Sequence, residues 1–290
     1  MKTAAIIGAG SMLGSQLTAE LRARGVETLS VGRSAKDDIV FDLERGCAGT
    51  FTASADVVFH CASSFGDDSD AGIGQNYATN TASALGVAEL VRRLEAKALI
   101  YAGSIWSDAA LNPERFNSYG LTKALAEQML SWLLQKQGAR FCSLRLSQLY
   151  DTDGRCCTHQ PWFGRVVAYA SRGADIRMPA SLGHQNFLHV RDAAGLMIGA
   201  AGGALSGINA AVHPERLSYS AIAEIAYEVF DRGGAIKIAT EKAPFRAANF
   251  PDGAETLSRL DMDPLIAMRD GIAMIKSAGT AEAFGPMDVK

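Results

Sequence analysis

Short apolar runs alternate with longer segments of helical period through the first half of the chain. The runs are TAAIIG, ETLSVG, DIVF, DVVFHCA, ALIYAGS and RFCSLRL, all between residues 1 and 150. Val, Ile, Leu and Phe in near-continuous succession, rather than alternating with polar residues, mark strands buried on both faces. The clearest amphipathic helices follow the first, fourth and fifth runs. This alternation predicts an α/β fold: a Rossmann-like doubly wound parallel sheet over residues 1–150.

Beyond Tyr150 the pattern loosens. DTDGRCCTHQP reads as a loop and WFGRVVAYASRG as a helix stopped by Gly173. NFLHV reads as a strand, followed by an Ala-rich helix from Arg191; SYSAIAEIAYEVF (218–230) is a further helix. Residues 186–212 are expected to return to the first domain. The expected remainder, 151–185 and 213–290, is a small C-terminal α/β substrate lobe, irregular over its last stretch, ending in one helix and a frayed tail after Gly279.

Composition narrows the partners. Hydrophobic residues make up 48% and charged residues 20%, as in ordinary globular proteins. A net charge of -3 and a pI near 6.0 give no basic footprint for nucleic acid or an anionic membrane. Small polar molecules are the expected partners. No apolar run reaches the length of a membrane span. The opening MKTAAIIGAGSMLG has an apolar core too short and too glycine-broken for a leader peptide, so a first strand and helix are expected there. Five cysteines, with Cys156 and Cys157 adjacent, do not form a disulfide framework, and CCTH lacks a second ligand cluster. A cytoplasmic protein with no metal site is the expectation.

The turn IIGAGSMLG joins the first strand to the first helix and holds Gly8, Gly10 and Gly14. A dinucleotide's pyrophosphate needs such glycines, because the backbone must approach it closely and present the helix N-terminus. Gly8, Gly10, Ser11, Met12, Leu13 and Gly14 form the expected phosphate loop, although the spacing is one residue longer than the common fingerprint. Past the second strand, VGRSAK places Arg33 and Ser34 where the adenosine ribose is read. A guanidinium pairs with a 2′-phosphate, so NADP(H) is the preferred cofactor and NAD(H) the alternative.

NSYGLTKALAEQ (117–128) sets Tyr119 and Lys123 four apart, on one face of a helix. Spacing alone leaves two readings, an acid with its electrostatic partner or an ordinary surface pair. None of the other tyrosines has a lysine four residues on.

Together SYGLTK, the glycine loop, DL (42–43), HCAS (60–63), NTASALGVAEL from Asn80, YAGS ending at Ser104, RLSQLY (145–150) and NFLHVRDAA from Asn186 give the chain its resemblance, over about residues 3–230. It resembles the extended short-chain dehydrogenase/reductase family, which contains nucleotide-sugar epimerases, dehydratases and 4-ketoreductases. The resemblance implies Ser104, Tyr119 and Lys123 as catalytic residues. It adds Asp42, Leu43, Cys61, Ala62, Ser63, Asn80 and Leu146 to the cofactor site, with Tyr119 and Lys123 also touching the cofactor. Ser64, Ile105, Gln148, Arg165 and Gln185 are the implied substrate contacts. His60 is expected to be a strand-end histidine contacting backbone. Gln148 and Gln185 stand where the family commonly has Asn and Arg, and Ser11 where it often has Gly.

The implied chemistry has a physical basis. A phenol ionises near pH 10, and an adjacent ammonium brings it towards the working range. Three functions fit: an NADPH-dependent reductase of a keto group, with a 4-keto-6-deoxy nucleotide sugar as leading substrate; an NAD(P)-dependent epimerase or dehydratase; and an NADP-binding sensor without turnover. A homodimer through the helices beginning near Gly74 and Asn117 is also implied.

Overall fold

The computed structural model describes residues 1–262 and 264–287. Two compact units emerge. The first comprises Met1–Leu146, Ala193–Ala211 and the segment beginning at Pro251; the second comprises Ser147–Asp192, Val212–Phe250 and the segment from Pro264 on.

The six apolar runs become β1 (Thr3–Ile7), β2 (Glu27–Gly32), β3 (Ile39–Asp42), β5 (Val57–His60), β6 (Ala98–Ser104) and β7 (Arg140–Leu146), with a short β4 (Gly46–Cys47) after β3. Together with β11 (Gly207–Ala211) they form one sheet in the order β11-β7-β6-β5-β1-β2-β3-β4. All neighbours run parallel except β3 and β4. The central strands are buried as their composition demands: Ala4 to Ile7, Val57 to His60 and Leu99 to Tyr101 are all inaccessible.

Strand order reverses at β1. From it the chain winds one way to β2 and β3, and the other way to β5, β6 and β7. A crevice therefore opens at the carboxyl ends of β1 and β5, the place where open α/β sheets bind ligands.

Helices connect these strands. They are α1 (Met12–Ala23), α2 (Asp70–Asn76), α3 (Ala84–Arg93) and α4 (Ser118–Gln137). A π-helical stretch, Tyr77–Ala82, joins α2 to α3. Helix α1 buries Leu13, Leu17 and Leu21 at four-residue intervals, the stripe of an amphipathic helix. Asn117 caps α4, its Oδ1 accepting from the Gly120 amide at 3.0 Å.

The second unit holds β8 (Gln148–Tyr150), α5 (Pro161–Arg172), β9 (Ile176–Met178) and β10 (Phe187–His189). Helix α6 (Val190–Ala201) runs from this unit into the first. Helix α7 (Tyr219–Phe230) and strand β12 (Ile236–Ile238) follow in the second unit. Strand β10 pairs with β8, and β12 with β9, each in parallel. Helix α5 ends at Gly173, whose φ of 64° is left-handed.

Three expectations need correction. Residues 186–192 group with the second unit rather than the first, because β10 pairs with β8 and Asn186 donates to the carbonyls of His213 and Glu215. The stretch from Pro251 forms α8 (Ala254–Leu260), which packs against β11 and so joins the first unit. A second helix, α9 (Met268–Ala278), follows it, and the chain past Gly279 is not frayed throughout. Residues Ala281–Ala283 form a 3-10 turn that buries Phe284. The end of the expected tail, residues 288–290, lies outside the described residues.

Candidate active site

The β1–α1 turn is built by glycines at the positions where no side chain fits. Gly8 has φ 79°, and a Cβ there would lie 2.9 Å from the Ala62 side chain. A Cβ on Gly14 would lie 2.1 Å from the Gly8 carbonyl oxygen. Gly10 lines the cleft, and a Cβ on it would meet no protein atom within 4 Å. Ser11 caps α1, accepting from the Gly14 amide at 3.0 Å. Leu13 is buried beneath the turn and Met12 is half-buried.

This turn forms one wall of a cavity of about 1000 Å³. Gly8, Gly10, Ser11, Arg33, Ser34, Asp42, Leu43, Ala62, Ser63 and Ser64 line it, which brings together most of the predicted cofactor residues. Size, close backbone approach and position at the strand reversal all fit a dinucleotide. The sequence reading missed several lining residues, of which Asp37 matters most. Its carboxylate accepts from the Ser34 amide at 2.9 Å and lies over Gly32, where a Cβ would come within 2.6 Å of it. Asp37, Asp42, Glu44, Arg33 and Arg45 make this end of the cavity mixed in charge. The signal was in the sequence: SAKDD follows Arg33 directly.

At the other side stands Tyr119. Ser104 and Ser63 stand beside its hydroxyl, and its ring stacks on Phe65 with centroids 4.9 Å apart. Burial pushes the phenol up to about 12, with the two serines acting against that rise. Ser63 joins this group to the cavity wall. Its hydroxyl donates to Asn80 Oδ1 at 2.9 Å, and Asn80 also holds the amide and carbonyl of Ser64. Ser104 Oγ accepts from the Trp106 amide at 3.2 Å.

Lys123 lies one turn along α4 and is only 2% exposed. Its ammonium donates to the Ala102 carbonyl at 2.7 Å and sits 4.0 Å from the Tyr101 ring centroid. Burial lowers it to about 7, while Glu127 and then Cys61 act in the opposite direction. The expected depression of the Tyr119 phenol by Lys123 is not what the structure has. A buried ammonium needs an acceptor, and here a main-chain carbonyl and an aromatic face supply it. Cys61 is itself pushed up to about 12 by burial. His60 does not contact backbone through Nδ1, which has no partner among the described residues; its ring meets Tyr101 edge-on at 5.2 Å. Burial, then Lys123, lowers it to about 3, so it is neutral at physiological pH.

The remaining predicted residues divide. Ser64 Oγ is buried at the cavity wall with no hydrogen-bond partner among the described residues. The side chains of Ile105 and Leu146 are packed inside the first unit, at 1% and 5% exposure. Gln148, Arg165 and Gln185 belong to the second unit. Gln148 donates to Gln160 at 3.1 Å while its own Oε1 is buried with no partner among the described residues. Arg165 lies over the Trp162 ring at 4.8 Å. Gln185 exchanges main-chain bonds with Leu217.

The family profile described as NAD dependent epimerase/dehydratase family matches residues 4–204. The chain belongs to this family. Solved structures agree on the fold. UDP-N-acetylglucosamine 4-epimerase from Bacillus cereus aligns with a TM-score of 0.76 at 17% identity, covering 100% of this chain and 99% of that one. RMD from Pseudomonas aeruginosa, complexed with NADPH, aligns at 0.78 and 15%, covering 97% and 100%. UDP-glucose 4-epimerase from Thermus thermophilus, complexed with NAD, aligns at 0.70 and 17%, covering 97% and 99%. A search of curated protein sequences returns no match.

Within this epimerase/dehydratase family member, one further site feature escaped the sequence reading. Tyr119, Lys123 and Glu127 repeat at four-residue intervals along α4, and the last of them is wholly buried. The interval was visible in NSYGLTKALAEQ, but an acidic residue on a helix ordinarily reads as solvent-facing.

Proposed function

We propose that the chain is an NADPH-dependent reductase of a keto group, with a 4-keto-6-deoxy nucleotide sugar as its substrate class. One observation carries this reading. Tyr119 stands with its hydroxyl beside Ser104 and Ser63, and Ser63 itself lines a dinucleotide-sized cavity. When bound there, a nicotinamide dinucleotide supplies the hydride equivalent of a carbonyl reduction. Gly8, Gly10 and Ser11 would hold its pyrophosphate, Arg33 its 2′-phosphate, and Lys123 its ribose.

The protein residues handle the proton. Tyr119, kept protonated by burial, gives its proton to the substrate oxygen. Ser104 receives the Trp106 amide on its oxygen, which leaves its own O–H to donate to that substrate oxygen. The structural neighbours support a nucleotide-sugar substrate and a nicotinamide cofactor, since their printed names include UDP-sugar epimerases and an NADPH complex. NADPH oxidation measured across a panel of keto sugars and small ketones tests the reading. Turnover on 4-keto sugars is the expected result, and tight NADPH binding without turnover on any substrate refutes it in favour of a sensor.

A second reading, an epimerase retaining NAD, is favoured by Asp37. An acid beside Arg33 suits a ribose hydroxyl better than a phosphate. Isomerised product without net NADPH consumption would select it. We also propose a homodimer through α2, the π-helical stretch after it and α4, because Ile73, Tyr77, Leu121, Met129 and Trp132 are exposed there rather than packed inward. Sedimentation of wild type and Trp132→Arg tests this: the variant should be monomeric, and a monomeric wild type overturns it.

A further inference from the structure

Glu127 is 0% exposed, on the same face of α4 as Lys123. Three residues on two strands converge on it. Ser143 on β7 donates to its carboxylate at 2.7 Å, and Arg145, two residues on, grips it through Nη2 at 2.7 Å and Nε at 3.1 Å. On β6, Gly103 leaves the space that the carboxylate fills, since a Cβ there would lie 2.8 Å from Oε1 and 2.4 Å from Ser143 Oγ. The residue after Gly103 is Ser104.

A carboxylate this buried is fixed in place and little screened. Arg145 compensates it only in part, being shared with Asp108 at 3.9 Å and partly exposed. Among the described residues, every other titratable group named as facing Lys123 is neutral at neutral pH. Tyr101 and Tyr119 are phenols raised by burial, His60 is a neutral imidazole, and Cys61 is a thiol raised by burial. Glu127 is the one anion among the described residues placed to offset the desolvation of the Lys123 ammonium.

We propose that Glu127 is a positioning residue of the active site, its buried carboxylate keeping Lys123 charged at the pH where the enzyme works. The inference rests on the reading of Lys123 as the cation of that site. Through Lys123, Glu127 acts on the ribose-binding and proton-donating groups without touching substrate. Arg145 and Ser143 hold the carboxylate in the geometry this requires.

The test follows Lys123 directly, by 13C NMR of protein labelled at lysine Cε, with the signal assigned by Lys123→Arg. In the wild type the resonance should titrate near neutrality. Glu127→Gln keeps the shape and removes the charge, and the midpoint should fall by at least about one pH unit, so that the charged fraction well above the wild-type midpoint drops about tenfold. Ser143→Ala removes a neutral bond to the same carboxylate and should leave the midpoint nearly unchanged. Arg145→Gln removes the competing cation and should move the midpoint upward, which keeps the proposal testable if Glu127→Gln does not fold. An unchanged midpoint in folded Glu127→Gln, or a fall in Arg145→Gln, overturns it. Because the readout is a titration rather than turnover, a protein that reduces no ketone yet shows these shifts would refute the proposed reaction and leave the role of Glu127 standing.

Discussion

The two ends of the site differ in how they hold charge. Around Tyr119 the charged and polar groups are buried or half-buried and each is fixed: Lys123 on a carbonyl and a ring, Glu127 on Ser143 and Arg145, Ser63 on Asn80. Around Arg33 the arginine is exposed, and Asp37, Asp42, Glu44 and Arg45 share one open rim. Coulomb interactions strengthen as water is excluded, so one charge changed at the Tyr119 end should outweigh one changed at the Arg33 end. The difference separates two tasks. Chemistry needs fixed proton positions, whereas nucleotide choice needs only a modest bias.

The largest effect should come from Tyr119→Phe, which removes the proton donor and leaves the ring that stacks on Phe65. Turnover should fall by about 10²–10⁴ while dinucleotide affinity changes little. Steady-state kinetics beside a binding titration check both halves. A fully active variant would break the comparison at its stronger end.

Next comes the cost of the buried ammonium. Lys123 titrates near 7 in the folded chain against an ordinary 10.5, so between those values the unfolded chain binds more protons. Stability contributed by this group therefore rises as pH rises through that window, and the full penalty is present below it. Lys123→Met should be more stable than wild type by an amount on the order of a few kcal/mol at pH 6, and this gap should shrink towards pH 10. Thermal melts of both proteins across that range measure it; a gap independent of pH contradicts the assignment. A smaller loss is expected from Gly14→Ala, whose new methyl meets the Gly8 carbonyl. Stability should drop by about 1–3 kcal/mol, with dinucleotide affinity falling too, because the turn must shift.

The sheet was legible because central parallel strands are apolar without interruption: TAAII, VVFH and ALIYAGS can be little else. The turn glycines were legible for a related reason, since only glycine survives at Gly8 and Gly14. What escaped depends on contacts distant in sequence. Strand β8 is three residues long and exists through its pairing with β10, and Pro251 onward joins the first unit through α8 packing on β11. Glu127 escaped because its burial is decided by Ser143, Arg145 and the missing side chain of Gly103, none of them on its own helix. Leu121 and Met129 lie eight residues apart on α4 and are exposed at 46% and 36%; periodicity alone does not say which stripe of such a helix turns inward.

The smallest effects belong to the exposed end. Arg33→Asp should weaken NADPH relative to NADH by about tenfold at low salt, and the difference should diminish as salt is raised, since the guanidinium is in solvent. Equal wild-type affinities for the two nucleotides would remove the basis for this. Asp37→Asn should do less, a gain for NADPH of about threefold, because the change removes one screened charge from the rim. The amide oxygen of Asn can still accept from the Ser34 amide, so the loop keeps the bond that Asp37 makes there. If Asp37 merely shapes the loop, both nucleotides should shift together or not at all. If it repels the 2′-phosphate, NADPH alone should gain, and the gain should fade with salt while the Lys123 midpoint, governed by buried charge, stays where it was.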